Sequence, residues 1–350
     1  MKTVVQSVAT ANPPLRVTQH EACAIFEARF HLEPPERELY RRILLEGPIE
    51  GRYVGMASTA EAGEDDQDKL VARFREHGRR TATLAARRAL ARAGAGPGDI
   101  GALIVNTCTG YLCPGLSSYV AEDLGLAASV RPLDIMGMGC GAALPNLQAG
   151  YDHLCAHPGQ KVLSIAVEIC SATLFMDPDP GVVASNCIFG DGAAACVLAR
   201  GEEPAGRLTL LDFESVLLPE YRANLQYRTE RHRLRNVLTR EVPVIGARAI
   251  EQAIRMLLAR HQLPAGAIAH WIVHAGGTQV LAAVERRLGL TAHDLRHAHA
   301  IFREFGNMSS PTVLFVLDRL LEHDKPRHGE KGLILTFGAG FTAFAALVEF

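Results

Sequence analysis

The same order of elements is written twice in this chain. A Gly-rich turn, a helix-like segment and an apolar strand follow one another around residue 140 and again around residue 307. In the first half a long amphipathic helix signal covers 65–95 and ends at Gly94 and Pro97. A strand follows at 102–108, a loop and helix at 113–126, and a short strand at 131–136. The turn GMGC leads into a helix over about 141–155, a strand at 161–170, a loop at 176–182 and a Gly turn feeding an apolar strand in 186–200. The charged segment GEEPAGR (201–207) reads as a linker. The second half predicts a helix at 243–262, a strand at 270–274, helices at 278–288 and 308–323, and strands at 332–337 and 342–350. The halves share element order, with little identity. Two similar α/β halves, residues 1–200 and 207–350, are expected to pack together with both sheets buried.

Length and composition agree with that. A chain of 350 residues holds a large core. Apolar residues make up 48% and charged residues 21%, as in a globular protein. A net charge of −2 argues against a nucleic-acid surface. No stretch approaches the roughly 20 apolar residues needed to cross a bilayer, and the first residues do not read as a signal peptide. A cytoplasmic protein with mostly reduced thiols is the expectation. The eight cysteines (23, 108, 113, 140, 155, 170, 187 and 196) show neither CxxC nor zinc spacing, so no metal is expected.

Three residues in Gly-rich turns carry the chemistry. Cys140 lies in DIMGMGCGAALPNL, His274 in WIVHAGGT and Asn307 in FREFGNMSSPTVLFVLD. A thiol, an imidazole and a carboxamide are the parts of nucleophilic acyl chemistry at sulfur. Gly139 and Gly141 permit a tight turn at Cys140. A following helix and a nearby imidazolium would lower its pKa and leave a thiolate at neutral pH. Each residue also has an ordinary structural reading: a buried Cys, a satisfied core His, and for Asn307 a helix N-cap. Pro145 must sit in the first turn of its helix or kink it. His297, His299, His323 and His328 read as solvent-exposed.

The motifs as a set resemble type III polyketide synthases, the chalcone and stilbene synthase-like branch of the thiolase-fold condensing enzymes. The likeness runs through ATANPP (9–14), RY (52–53), the Cys140 turn, VEIC (167–170), IFGDGAAA (188–195), HxGG (274–277), EFGNMSSPTVLF (304–315) and TFGAG (336–340). It implies a thiolase-like αβαβα layering and a homodimer. It implies that Cys140 takes an acyl group from a starter acyl-CoA. His274 and Asn307 then hold the enolate formed when malonyl-CoA loses carbon dioxide, and the grown poly-β-keto chain cyclises. No cofactor is implied beyond the CoA thioesters themselves.

By the same match Phe189 is a gatekeeper at the pocket mouth, and Asn236 stands where a second phenylalanine is usual. Cys108, Cys170, Thr173 and Ser309 line the cavity, and Cys113 crosses into the partner's pocket. Arg42 matches one of the residues that hold the CoA phosphates. Leu39 and Glu46 stand where lysines are common, and Arg41, Arg52 and Arg303 are candidates to compensate. The cysteine-lined wall and the changed gatekeeper point to an alkylresorcinol- or alkylpyrone-like product. Alternatives are a ketoacyl synthase III-like enzyme working on a carrier-bound malonyl group and, in another class, a Cys-His-Asn thioester hydrolase.

Overall fold

The computed structural model describes residues 2–201 and 208–350. Nine strands form one mixed sheet. Its first half runs, in spatial order, Lys2–Ala11, Gly192–Gly201, Lys161–Glu168, Ile100–Thr107 and Arg131–Met136. Its second half runs Leu208–Leu217, Thr342–Glu349, Lys331–Gly338 and Ile268–Val273. Among the described residues, the strands of the two halves pair through Thr3–Leu210, Val4–Thr209 and Val5–Leu208. Ile100–Thr107 is parallel to both its neighbours, and Ile268–Val273 is parallel to Lys331–Gly338. The inner strands are almost continuously apolar and buried, as strands covered on both faces must be.

Two helices form the middle layer. Ala143–Ala156 packs on Lys161–Glu168 and Ile100–Thr107, and reaches Thr342–Glu349 of the other half. Thr312–His323 packs on Lys2–Ala11 and Gly192–Gly201, and on the second half's Ile268–Val273. Thr312–Leu317 are all buried, since this helix has sheet on both sides. Gln67–Ala93 covers the first half-sheet from outside and Val242–Arg260 the second. The result is five layers, helix and sheet alternating. Pro145 is the third residue of its helix, where its missing N–H costs nothing.

Several local expectations are corrected. Pro180–Ile188 is a helix capped by Asp179, whose carboxylate accepts from Gly181 N–H (2.8 Å) and Val182 N–H (3.3 Å). The Asp-Pro run reads as loop in sequence, yet Pro at a first helical position is a start signal. Helices Gln19–Arg29 and Pro34–Glu46, strand Leu208–Leu217 and a hairpin of Leu225–Glu230 with Arg233–Leu238 are additional elements. The last helix of the Asn307 region begins at Thr312, not 308. His297 is buried against Asp324 (2.8 Å) and half-buried His299 meets Glu285 (2.8 Å), so neither is simply solvated. Residues 202–207 of the expected linker lie outside the described residues. Among the described residues no helix is long and apolar enough to cross a membrane, and no His/Cys/Asp/Glu group could hold a metal.

Candidate active site

Cys140 occupies a short 3-10 turn, Gly139–Gly141, that leads into the helix Ala143–Ala156. Gly139 has φ +57°, a left-handed conformation that favours glycine. The turn is seated by the other half of the molecule. A Cβ on Gly338 would stand 2.6 Å from Gly141 N and 3.2 Å from Cys140 N. Thr336 Oγ1 donates to Gly141 O (3.2 Å).

The Ser309 hydroxyl donates to Cys140 Sγ (3.3 Å) and lies 3.6 Å from Cys108 Sγ. Ser309 holds φ +58°, which a non-glycine residue adopts at a cost. Its backbone N–H donates to Asn307 Oδ1 (2.8 Å), and Asn307 Nδ2 donates to Gly276 O (3.0 Å). Gly276 N–H in turn donates to His274 O (3.0 Å). A continuous run of hydrogen bonds therefore links Cys140, Ser309, Asn307 and the His274 turn. Asn307 caps no helix: Pro311 precedes the helix, and the carboxamide is held from both ends with one Nδ2 hydrogen left over. His274 follows the end of strand Ile268–Val273, its ring edge-on to Phe337 at 6.3 Å. Its Nδ1 is buried without a hydrogen-bond partner, an exception that native interiors seldom carry.

Burial decides the resting protonation states. It pushes the Cys140 thiol up to about 12, against the Ser309 hydroxyl, and Glu168 adds to the rise. It pulls the His274 imidazole down to about 4. Burial thus works against the expected thiolate, since desolvation opposes charge on both Cys140 and His274.

Glu168, from the VEIC match, was given no role by sequence. It is fully buried and accepts from Thr107 Oγ1 (3.1 Å), Cys108 N–H (2.9 Å), Cys108 Sγ (3.3 Å), Thr109 N–H (3.1 Å), Thr109 Oγ1 (2.9 Å) and Ser310 Oγ (2.8 Å). This carboxylate fixes Cys108 beside Ser309 and Cys140.

Cys108, Cys140, Phe189, Tyr227, Asn236 and Ser309 line one small cavity. Cys170 and Thr173 line a second, mostly apolar chamber instead, with Phe26, Met56, Phe175 and Val182. Phe189, Tyr227 and Asn236 face both. Tyr227 is the one of these three that sequence reasoning missed; its hydroxyl is 3.2 Å from Thr173 Oγ1. It pairs across the hairpin with Asn236, where the second gatekeeper was sought. The hairpin turns at Arg231 and His232, both with positive φ, where Asn-Gly would have announced it. Asn236 is buried and donates to Ser185 Oγ (3.1 Å).

The remaining candidates lie apart. Cys113 is exposed, and Arg42 is exposed on Pro34–Glu46. Arg41 meets Glu27 (2.5 Å), and Arg303 meets Glu50 (3.5 Å) and Glu304 (3.6 Å). Arg52 is buried, and its guanidinium donates inward to Gln19 Oε1, Asn186 O and Phe189 O.

Residues 7–275 match the family described as FAE1/Type III polyketide synthase-like protein, and 212–349 match the chalcone and stilbene synthase C-terminal domain. The chain is 36% identical over 322 residues to the 3,5-dihydroxyphenylacetyl-CoA synthase of Streptomyces toyocaensis, covering 88% of this chain and 82% of that one. It is 32% identical to the 1,3,6,8-tetrahydroxynaphthalene synthase of Streptomyces peucetius subsp. caesius, covering 99% and 93%. Among solved structures it is similar to 1,3,6,8-tetrahydroxynaphthalene synthase from Streptomyces coelicolor A3(2), with a TM-score of 0.91 at 25% identity and 99% of each chain covered. PKS-I from the brown alga Ectocarpus siliculosus gives a TM-score of 0.90 at 27% identity, covering 99% and 98%.

Proposed function

The chain belongs to the type III polyketide synthases, and from that membership we propose that it grows its product on Cys140, by decarboxylative condensation of malonyl-CoA onto a starter acyl group. The observation that carries the residue assignment is the run of hydrogen bonds from Cys140 through Ser309 and Asn307 to the His274 turn. Cys140 gives its proton to His274 and attacks the thioester carbonyl of the starter. The tetrahedral intermediate collapses, the departing CoA thiolate takes a proton from solvent, and the imidazolium keeps the one it took from Cys140. Malonyl-CoA then loses carbon dioxide. The enolate oxygen of the resulting acetyl-CoA receives hydrogen bonds from His274 Nε2 and the spare Asn307 Nδ2 hydrogen. Its carbon attacks the Cys140 thioester, forms the new C–C bond and expels the Cys140 sulfur, which takes its proton back from the imidazolium.

Incubation with a panel of acyl-CoA starters and malonyl-CoA, read by mass spectrometry, tests the reading. Carbon dioxide, free CoA and a condensed product should appear together. Free acid with no malonyl-CoA consumed would instead establish a thioester hydrolase. Asn307→Ala should slow malonyl-CoA decarboxylation by about 10²–10³-fold, the usual loss for one oxyanion donor. Decarboxylation at the wild-type rate would reduce Asn307 to a brace for the Gly276 turn.

The apolar chamber beyond Tyr227 supports an aliphatic starter whose tail lies there, and so an alkylresorcinol- or alkylpyrone-like product. Tyr227→Ala opens the two cavities into one and should shift use toward longer acyl-CoAs. Tyr227→Phe keeps the wall and should leave chain length alone. A product profile unchanged by Tyr227→Ala would remove the chamber from the account.

A homodimer fits the edge of the sheet. Strand Arg131–Met136 pairs on one side only, and Leu133 is 45% and nearby Tyr111 71% exposed. An unpaired apolar edge invites a second strand. Light scattering at micromolar concentration should give twice the chain mass; a monomer there would refute it.

A further inference from the structure

The helix Pro180–Ile188 ends directly at Phe189, and its last carbonyls need partners. Each has one. Ser185 O accepts from Phe189 N–H (3.0 Å). Asn186 O and Phe189 O both accept from Arg52 Nη1, at 2.8 and 2.6 Å. Cys187 O accepts from Gln19 Nε2 (3.0 Å), and Gln19 Oε1 accepts from Arg52 Nε (3.0 Å). Ile188 O accepts from Asn307 N–H (2.8 Å). Gly190 N–H then donates to Asn307 O (2.9 Å), closing a bridge between the Phe189 and Asn307 segments.

Arg52 is 7% exposed and bonds no carboxylate. Its cation lies at the negative end of the helix, where such a charge is favoured. Its stem passes between two glycines. A Cβ on Gly306 would be 3.0 Å from Arg52 Cγ, and one on Gly190 would be 3.3 Å from Arg52 Cβ. Gly306 has φ +69° besides, so its side is closed to any other residue.

We infer that Arg52 is a positioning residue for the condensation, fixing the Phe189 wall and the Asn307 carboxamide at one set distance by tying off the helix end between them. Arg52 touches no reacting atom in this account. It acts through the shared backbone bridge. The inference rests on the assignment of Asn307 to the enolate.

Arg52→Lys keeps the charge but loses the fork that reaches Gln19 and two carbonyls at once. A misplacement of about 1 Å at a reacting group costs about 10²-fold. We expect Arg52→Lys to lower kcat for condensation by about that factor per folded enzyme, with KM for malonyl-CoA unchanged. Acylation of Cys140 by starter CoA, weighed by intact-protein mass spectrometry, should persist. Gln19→Met removes one arm of the same clamp and should lower kcat in the same sense by less. Folded Arg52→Lys enzyme with wild-type kcat would overturn the inference. If Arg52→Lys does not fold, a wild-type kcat in Gln19→Met would overturn it instead. Asn307→Ala, assayed alongside, separates the two claims. Unimpaired decarboxylation there defeats the site assignment itself. Impaired Asn307→Ala beside normal Arg52→Lys defeats only the role of Arg52.

Discussion

Replacing Cys140 by alanine should abolish both the acyl-enzyme and every condensed product. Incubation of the wild-type protein with a starter acyl-CoA should add one acyl mass, and the variant should add none. The expectation is absolute because of placement. Cys23, Cys187 and Cys196 are buried in packed layers, and burial raises the thiols of all three. Cys108 is the nearest rival, 3.6 Å from the same Ser309 hydroxyl. It donates to the Glu168 carboxylate, and burial next to that negative charge drives its pKa well up. A thiol beside a buried carboxylate is the poorer nucleophile. An adduct that survives in Cys140→Ala and maps to Cys108 would sink the assignment. Malonyl-CoA decarboxylation without condensation should persist in the variant, since it draws on His274 and Asn307.

His274→Ala should silence the thiol itself. With the proposed acceptor gone, burial still opposes loss of the Cys140 proton. In the proposed mechanism the wild-type proton moves to the ring. Either charge alone is opposed by burial, yet the two created together leave no net charge in the cavity and attract one another. Alkylation of Cys140 by iodoacetamide at pH 7 should therefore slow at least about 10²-fold in His274→Ala, the scale of general-base assistance. The sign with pH follows. Because the thiol's pKa is raised, reactivity in the variant should climb about tenfold per unit as pH rises from 7. A variant alkylated at the wild-type rate across that range would free Cys140 from His274.

Much of this site could be read from residue order, because glycine marks it. The turns at Cys140, His274 and Asn307 all announce themselves, and strand Arg131–Met136 and helix Thr278–Leu288 fall where their patterns end. What escaped lacked such marks. The hairpin that carries Tyr227 turns on Arg231–His232 and is crowded with arginines, so neither alternation nor turn chemistry is visible. Strand Leu208–Leu217 is broken in sequence by Asp212 and Glu214, which the fold answers with Arg260 from a later helix. Asn307 looks like an N-cap until the real helix start at Thr312 is known. Desolvation of Cys140 and His274 is a property of the assembled layers, and no local pattern carries it.

The seat of the Cys140 turn against Gly338 and Ala339 has a consequence for how the enzyme comes into being. A ribosome that has reached Gly201 has already made Cys140, but not His274, Asn307 or the loop the Cys140 turn rests on. The nascent half therefore lacks the seat of its own Cys140 turn. The seat is complete only once strands Lys331–Gly338 and Thr342–Glu349 have been made. Truncation near the C-terminus should thus be as damaging as loss of the sulfur, and the two halves cannot be exchanged between relatives one at a time without matching that seam.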